Sequence, residues 1–213
     1  MKKWLAFLAL AATPAWAAEK KLFDGKDISG WARLPRHEGL PPNQKPGFVV
    51  QDGLLVTVPD APEDDLWYTV GKIGNATLRV VYKFSGPNAN SGVFIRIPHE
   101  PKSEDDAINK GIEVQIQDSG DDYHCTGALY SMTKAQARPY KPAGEWNTLE
   151  IEMRGPRTIV QLNGVQVTDY DGVAPVPPKK GQYEPDRDRG RTKATSPYST
   201  TVVHRRCGSR KLR

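Results

Sequence analysis

Residues 111–117 read Gly-Ile-Glu-Val-Gln-Ile-Gln, a strict alternation of apolar and polar side chains. Alternation with a period of two is typical of a β-strand that turns one face to a core and the other to solvent. The residues that we expect to face the core are Ile112, Val114 and Ile116. The residues that share the opposite, polar face are Glu113, Gln115 and Gln117.

A second alternating segment, from Val93 to Ile97, has the same two-sided character. Val93, Ile95 and Ile97 are predicted to face the core, which leaves Phe94 and Arg96 on the other face. Carboxylate, amide, guanidinium and aromatic groups are those that bind sugar hydroxyls and stack on the apolar side of a sugar ring. An ordinary solvent-exposed face is the alternative for either strand, but this choice of polar residues favours a carbohydrate site.

The rest of the chain follows the same pattern, because a period of two dominates between Leu22 and Val167. The remaining strands are predicted at Phe48–Gln51, Leu54–Val58, Thr77–Phe84, Asn147–Met153, Thr158–Leu162 and Val165–Asp169. The Asn-Gly pair at residues 163–164 and the Asp-Gly pair at 52–53 predict tight hairpins. Short antiparallel strands of this kind predict an all-β jelly-roll sandwich. Pro98–Asn109, with two prolines and four acids, predicts a solvated loop.

Length and charge limit the classes of protein to consider. A chain of 213 residues is long enough for one domain, and two cysteines, Cys125 and Cys207, are too few for a disulfide-stapled fold. Residues 187–213 carry nine basic and one acidic side chain, a local charge of +8, and Lys2 and Lys3 add +2. The net charge of +5 therefore leaves −5 for residues 18–186. We therefore expect no nucleic-acid partner.

The first 17 residues have the features of a secretory signal. Lys2 and Lys3 precede an apolar run, which is followed by Pro14 and the small-x-small triplet at 15–17. We predict cleavage after Ala17 and a periplasmic or secreted mature protein. The apolar run is too short to span a bilayer, and the residue directly after the cleavage point is not a cysteine that could carry a lipid. We therefore expect no stable membrane anchor.

Five motifs in the expected order resemble the 3-keto-disaccharide hydrolase family. They are LFDGKDISGW (Leu22–Trp31), NSGVFIR (Asn90–Arg96), GIEVQIQD (Gly111–Asp118), TGALY (Thr126–Tyr130) and GEWN (Gly144–Asn147). The resemblance covers about Leu22 to Tyr183. It implies a concanavalin A-like jelly roll, in which two curved antiparallel sheets form a ligand groove on the concave face.

The resemblance also implies a reaction, the cleavage of glycosides that are oxidised at C3 of the sugar. A C3 ketone acidifies the hydrogen on C2, so a base can remove it, the enolate expels the C1 leaving group, and water completes a net hydrolysis. By this resemblance Glu113 is the candidate base, and Arg96 is the candidate stabiliser of the enolate. A simple salt bridge between these two residues on neighbouring strands is the alternative.

Further side chains receive roles from the same resemblance. The expected substrate-binding residues are Gln115, Asn90, Phe94, Gln117 and Asp118. Asn90 could instead form a turn, and Asp118 could cap one. Glu113, Asp118 and a histidine could hold a divalent metal, but no spacing specifies such a site, so no cofactor is assigned. His124 and Cys125 lie on a loop with no third orienting group apparent, and they receive no role.

The expected partner is an oligosaccharide or glycoside, which an upstream sugar oxidoreductase would supply in its ketone form. The alternative function is a non-catalytic, lectin-like carbohydrate-binding module. The same fold and the same polar side chains can hold a sugar without reacting with it.

Residues 18–186 are predicted to form the jelly-roll domain, and residues 187–213 a basic, disordered tail without alternation. Codons compatible with residues 190–201, read two nucleotides later, can spell Pro-Asp-Glu-Gly-Tyr-Ile-Ala-Leu-Gln-His-His, which resembles the family's closing segment. We therefore hypothesise a frameshift near residues 187–190. On that hypothesis the last strands of the jelly roll are missing and activity is reduced; the alternative is a basic tail that binds anionic surfaces.

Overall fold

The computed structural model describes residues 19–59, 61–84, 86, 89–181 and 184–185, together with the backbone of residues 200–205. Its strands, in chain order, are β1 (Trp31–Arg33), β2 (Phe48–Gln51), β3 (Leu54–Thr57), β4 (Asp64–Tyr68), β5 (Ala76–Lys83), β6 (Asn90–Ile97), β7 (Ile112–Gln117), β8 (Trp146–Arg154), β9 (Arg157–Leu162), β10 (Val165–Tyr170) and β11 (Thr200–Arg205). One helix, α1 (Glu104–Lys110), is described between β6 and β7. Within the described ranges, no helix has the length and apolar character needed to cross a bilayer.

The strands form the predicted jelly-roll sandwich. A five-stranded front sheet has the order β1-β4-β11-β6-β7, and a four-stranded back sheet has the order β10-β9-β8-β5. Strands β2 and β3 form a separate hairpin. The main apolar core contains side chains from both sheets, such as Val93 and Val114 of the front sheet and Ile151 and Val160 of the back sheet. The hydrophobic effect therefore holds the two sheets face to face.

Both predicted hairpins are confirmed by their backbone angles. Asp52 and Gly53 have φ values of 52° and 77°, and Asn163 and Gly164 have φ values of 51° and 81°. Two successive residues with positive φ are what a two-residue type I′ turn requires. The turns therefore connect β2 to β3 and β9 to β10 in antiparallel register.

The prediction of a solvated loop over Pro98–Asn109 is wrong, because α1 begins at Glu104 and takes up the second half of that segment. The Ser103 side chain accepts a hydrogen bond from the Asp106 amide and caps the helix. The acids Glu104, Asp105 and Asp106 all lie in the first turn, where the helix dipole favours negative charge. The acidic residues that suggested solvation therefore start a helix.

The expectation that the last strands are missing is wrong for residues 200–205, which form one strand. Strand β11 pairs antiparallel with both β4 and β6 and lies near the centre of the front sheet. Four successive β-branched residues, Thr200 to Val203, favour an extended backbone even though polar and apolar side chains do not alternate there. The predicted signal peptide and the remainder of residues 187–213 lie outside the described residues.

Strand β4 escaped the sequence analysis because it begins with two aspartates. Both Asp64 and Asp65 are fully buried. Asp64 Oδ2 accepts hydrogen bonds from Arg33 Nε at 2.8 Å and from the Gly47 amide at 2.7 Å. This partnered carboxylate can occupy a strand that the sequence pattern would assign to a loop.

Candidate active site

The polar face of the front sheet lies opposite its core-facing side. Ile112, Val114 and Ile116 all belong to the apolar core, which confirms the predicted orientation of β7. The antiparallel register places Glu113 opposite Phe94 and Gln115 opposite Gly92. Directly opposed residues share a face. Glu113 and Gln115 therefore lie together on the polar face, as the alternation predicted.

Strand β4 brings two further residues to the same face. The backbone at position 202 of β11 pairs with Trp67 and Phe94, and position 204 pairs with Asp65 and Gly92. Trp67 therefore lies in the row of Phe94 and Glu113, and Asp65 lies in the next row. The sequence analysis missed both residues because it did not identify β4 as a strand.

The polar face is buried, whereas the sequence analysis expected it to be solvated. Glu113 is 2% exposed and Gln115 is 0% exposed. At one end of the face, Phe94 packs in a second apolar cluster with Leu34, Ile97 and Ala107 of α1. Neither Glu113 nor Gln115 is therefore open to solvent in this structure.

Glu113 depends on the glycine beside it. A Cβ atom at position 92 would overlap Oε1, Cγ and Cδ of Glu113. The carboxylate consequently occupies the space above β6 that any other residue at position 92 would fill. This packing restricts the orientation of the side chain on an edge strand that pairs with β6 on one side and hydrogen-bonds to the backbone of residues 126–130 on the other.

Three of the predicted sugar-binding residues form one amide network. Gln115 Nε2 donates hydrogen bonds to Asn90 Oδ1 at 3.2 Å and to Gln117 Oε1 at 2.8 Å. Gln117 Nε2 donates in turn to Ser119 Oγ at 3.3 Å. Gln115 Oε1 is buried without a hydrogen-bond partner among the described residues. If the oxygen and nitrogen of every amide in the network are exchanged, the unpaired atom of Gln115 becomes a buried N–H donor. In either assignment, Gln115 therefore keeps one polar atom that a ligand could bind.

Arg96 does not lie where the alternation placed it. Its guanidinium donates to Thr158 Oγ1 at 3.0 Å, to the Gly155 carbonyl at 2.7 Å and to the Arg157 carbonyl at 2.7 Å. All three acceptors lie at the start of β9 or in the turn before it. Arg96 therefore faces the back sheet, and it binds these groups in place of Glu113. The predicted placement of Arg96 beside Glu113, for enolate stabilisation or a salt bridge, is wrong.

A β-bulge causes this reversal. Ile97 pairs with position 200 of β11 and Phe94 with position 202, so β6 has one residue more than its partner over this interval. Arg96 has φ of 60°, a positive value that occurs at such irregularities. Beyond the bulge the alternation is inverted. Ile97 accordingly packs with Phe94, and not with Val93 and Ile95 as predicted.

Asp118 is not part of the amide network. Its backbone carbonyl accepts a hydrogen bond from the Tyr140 hydroxyl at 3.0 Å. Burial raises the pKa of Tyr82, on the back sheet, to about 12, and the nearby Asp118 charge adds to the effect. Among the described residues, no group of three or more His, Cys, Asp or Glu side chains is arranged to hold a metal ion.

The structure gives His124 the orienting groups that the sequence did not show. Its Nδ1 lies 2.7 Å from Asp121 Oδ1, and its Nε2 lies 3.2 Å from Glu184 Oε1. The imidazole ring packs edge-on against Tyr130, with 4.8 Å between ring centroids. The Tyr130 amide donates to the Glu113 carbonyl at 2.9 Å. Glu184 is too distant in sequence for any local pattern to have linked it to His124.

Comparisons with known proteins agree with this fold. The family described as the 3-keto-alpha-glucoside-1,2-lyase-like domain matches residues 18–194. A provisionally named glycosyl hydrolase from Parabacteroides distasonis is 23% identical, with a TM-score of 0.62 over 87% of this chain and 89% of its own. A second from the same organism is 20% identical, with a TM-score of 0.62 over 87% of each chain.

A GlcNAcα1-4Gal-releasing endo-β-galactosidase from Clostridium perfringens is 11% identical, with a TM-score of 0.54 over 90% of this chain and 58% of its own. At these identities the likeness shows the jelly-roll fold and nothing finer. None of the curated proteins matches the chain.

Proposed function

Because the chain belongs to the 3-keto-alpha-glucoside-1,2-lyase-like family, it is a carbohydrate-active protein, and we propose that it cleaves glycosides whose sugar carries a ketone at C3. A base removes the C2 proton, and the electron pair of the C2–H bond forms an enolate with the ketone. The enolate then expels the C1 substituent, leaving a C1–C2 double bond to which water adds. We assign the base to Glu113.

The main support for this assignment is the position of Glu113 on the polar face, beside Gly92 and next to the amide network. A single carboxylate is sufficient for proton abstraction, whereas an ordinary glycosidase requires two carboxyl groups about 5–9.5 Å apart. Asp65 is another buried acid on this face, but β4 and β7 are separated by β11 and β6. Three strand spacings amount to about 14 Å, which is too far for such a pair.

The amide network supplies the groups that hold the sugar. Gln115 Oε1 is positioned to accept a hydrogen bond from a sugar hydroxyl. Asn90 accepts from Gln115 through Oδ1, and its Nδ2 makes no hydrogen bond to another described residue. We assign to this free donor the stabilisation of the enolate oxygen, which Arg96 does not reach.

The proposed substrate places the protein after an oxidation. Secondary alcohols at C3 become ketones only by loss of two electrons, so a sugar oxidoreductase must act upstream. The leader-like residues 1–17 favour a location outside the cytoplasm for the reaction. N-terminal sequencing of the mature protein tests this location, because export predicts a first residue of Ala18.

Paired disaccharides test the reaction. We expect cleavage of the 3-keto disaccharide and none of its unoxidised form, and we expect incorporation of one deuterium at C2 in D₂O. Glu113→Gln should lower both the rate of cleavage and the rate of C2 exchange by about a hundredfold or more, while the sugar still binds. Glu150→Gln, on β8 of the back sheet, is the matched control and should change neither. Equal cleavage of both disaccharides, or cleavage without C2 exchange, contradicts the proposal.

The lectin-like alternative predicts a different outcome of the same experiment. It predicts binding of oxidised and unoxidised sugars with no turnover in the wild type. Glu113→Gln would then alter affinity alone. The unpaired Gln115 Oε1 in the amide network favours sugar binding under either function, and turnover decides between them.

A further inference from the structure

His124 lies between two carboxylates that come from different parts of the chain. Asp121 belongs to the same loop after β7, whereas Glu184 belongs to the segment that follows β10. The contacts are 2.7 Å from Nδ1 to Asp121 Oδ1 and 3.2 Å from Nε2 to Glu184 Oε1. The His124 side chain is 25% exposed and that of Glu184 is 7% exposed. Solvent therefore screens the contact with Glu184 only in part.

The two contacts of His124 determine how many protons its imidazole ring must carry. A neutral imidazole carries hydrogen on one nitrogen only, and an ionised carboxylate only accepts hydrogen bonds. Both contacts can be hydrogen bonds at the same time only if His124 is an imidazolium. The geometry therefore describes a cation bracketed by two anions.

Both carboxylates are held in the ionised form by further donors. Burial acts to raise the pKa of Asp121, but hydrogen bonds from the Tyr123 amide and from His124 outweigh it and lower that pKa. Burial likewise acts to raise the pKa of Glu184. Hydrogen bonds from the Lys180 and Gly181 amides and from His124 lower it below its ordinary value.

We refer to Asp121, His124 and Glu184 together as the bracket. The bracket connects two segments of the chain, and one of these segments contacts the proposed base. On one side, Glu184 closes a turn through its amide, which donates to the Gly181 carbonyl at 3.2 Å. On the other side, the His124 ring packs against Tyr130, whose amide donates to the Glu113 carbonyl. Tyr130 therefore contacts both the His124 ring and the backbone of β7.

Other charges surround the bracket without contacting the imidazole. The ring of Tyr123 is flanked by Lys134 Nζ at 5.5 Å and by Lys180 Nζ at 5.6 Å. Arg138 pairs with Asp122 at 3.0 Å.

We propose that His124 is a positioning residue, whose imidazolium, held by Asp121 and Glu184, ties the Glu184 turn to the loop that keeps Tyr130 beside Glu113. If the imidazolium lost one of its two N–H protons, a nitrogen lone pair would face a carboxylate lone pair at one of the two contacts. The longer contact, to Glu184, would open first. The effect on catalysis rests on the proposed function, but the bracket itself does not.

Hydrogen exchange at one pH tests the bracket without a substrate. We expect His124→Gln and Glu184→Gln each to accelerate exchange of the Lys180 and Glu184 amides by about tenfold or more. The double variant should be no faster than either single variant, because the two residues act as a unit. His99→Gln, which removes one exposed 3.5 Å contact with Asp106, is the control and should change nothing. Unchanged exchange in Glu184→Gln, or effects that multiply in the double variant, would overturn the proposal.

A second measurement separates positioning from simple packing. As the pH is raised until ¹⁵N NMR shows that His124 has lost a proton, the difference in exchange between the wild type and His124→Gln should disappear. A difference that stays constant at every pH identifies a packing residue and overturns the proposal. With 3-keto substrate, Glu184→Gln should lower kcat and leave KM nearly unchanged. If the variants alter hydrogen exchange as expected but the wild type does not turn over the 3-keto substrate, the result contradicts the proposed function and not the bracket.

Discussion

Gly92 on β6 and Glu113 on β7 are diagonal neighbours on the polar face, and the carboxylate of Glu113 occupies the space that a side chain at position 92 would fill. The absence of a Cβ at one residue therefore sets the position of the acid at another. This relationship gives the first of five predictions.

Gly92→Ala should displace the Glu113 carboxylate. Overpacking of a buried site costs about 1–3 kcal/mol, and misplacement of a base by about 1 Å can cost a hundredfold in rate. We expect a loss of C2 exchange activity that exceeds the loss expected from stability alone. Gly71→Ala is the control, because a Cβ at position 71 meets nothing within 4 Å. Full activity in Gly92→Ala would show that Glu113 is not the base.

Gln115→Met should disconnect the amide network. The variant preserves side-chain length but leaves Asn90 Oδ1 and Gln117 Oε1 without their shared donor. We expect sugar affinity to fall by about tenfold or more, because a buried hydrogen-bonding site is lost. Calorimetric titration measures the affinity, with Gln51→Met on the exposed end of β2 as the control. Unchanged affinity would place the sugar elsewhere.

Arg96→Met should affect stability and not the reaction. It removes three hydrogen bonds between the guanidinium and the start of β9 or the turn before it, two of which go to backbone carbonyls. We expect a loss of about 3 kcal/mol in urea unfolding, against less than about 0.5 kcal/mol for the exposed Arg79→Met. If Arg96→Met abolished activity without changing the free energy of unfolding, the result would show that Arg96 has a catalytic role.

Glu184 should contribute its full stabilisation above its ordinary pKa of 4.5. Its folded-state pKa is lowered, so the contribution is complete above the unfolded-state value and is lost as the pH falls through the folded-state value. The difference in unfolding free energy between the wild type and Glu184→Gln should therefore shrink as the pH falls through the folded-state pKa of Glu184. A difference that grows as the pH falls would mean that the carboxyl is favoured in its protonated form.

The reading frame after residue 190 can be tested on the DNA. If the frameshift hypothesis holds, the codons of residues 190–213 permit the family-like strands in the shifted frame. Restoring that frame should raise Tm, because an alternating strand would pair between β4 and β6, where the present chain has Thr200–Arg205. Codons that forbid the shifted reading would end the hypothesis.

The sequence by itself determined much of the fold and one face of the site. Alternation in Gly111–Gln117 assigned Glu113 and Gln115 to the polar face, since consecutive side chains of a strand must point to opposite sides. The Asn163-Gly164 pair likewise predicted its hairpin, because few residues adopt positive φ readily. Both signals are local, and both can be read from neighbouring residues.

Only the tertiary structure decided what surrounds that face. Arg96 turns to the back sheet because β6 has one residue more than β11, a mismatch between strands more than a hundred residues apart. Burial of Glu113 and the meeting of His124 with Glu184 likewise depend on chain segments that come together only on folding. A local pattern sets the direction of a side chain relative to its own strand. Exposure, partners and charge state depend on distant parts of the chain, which the pattern does not contain.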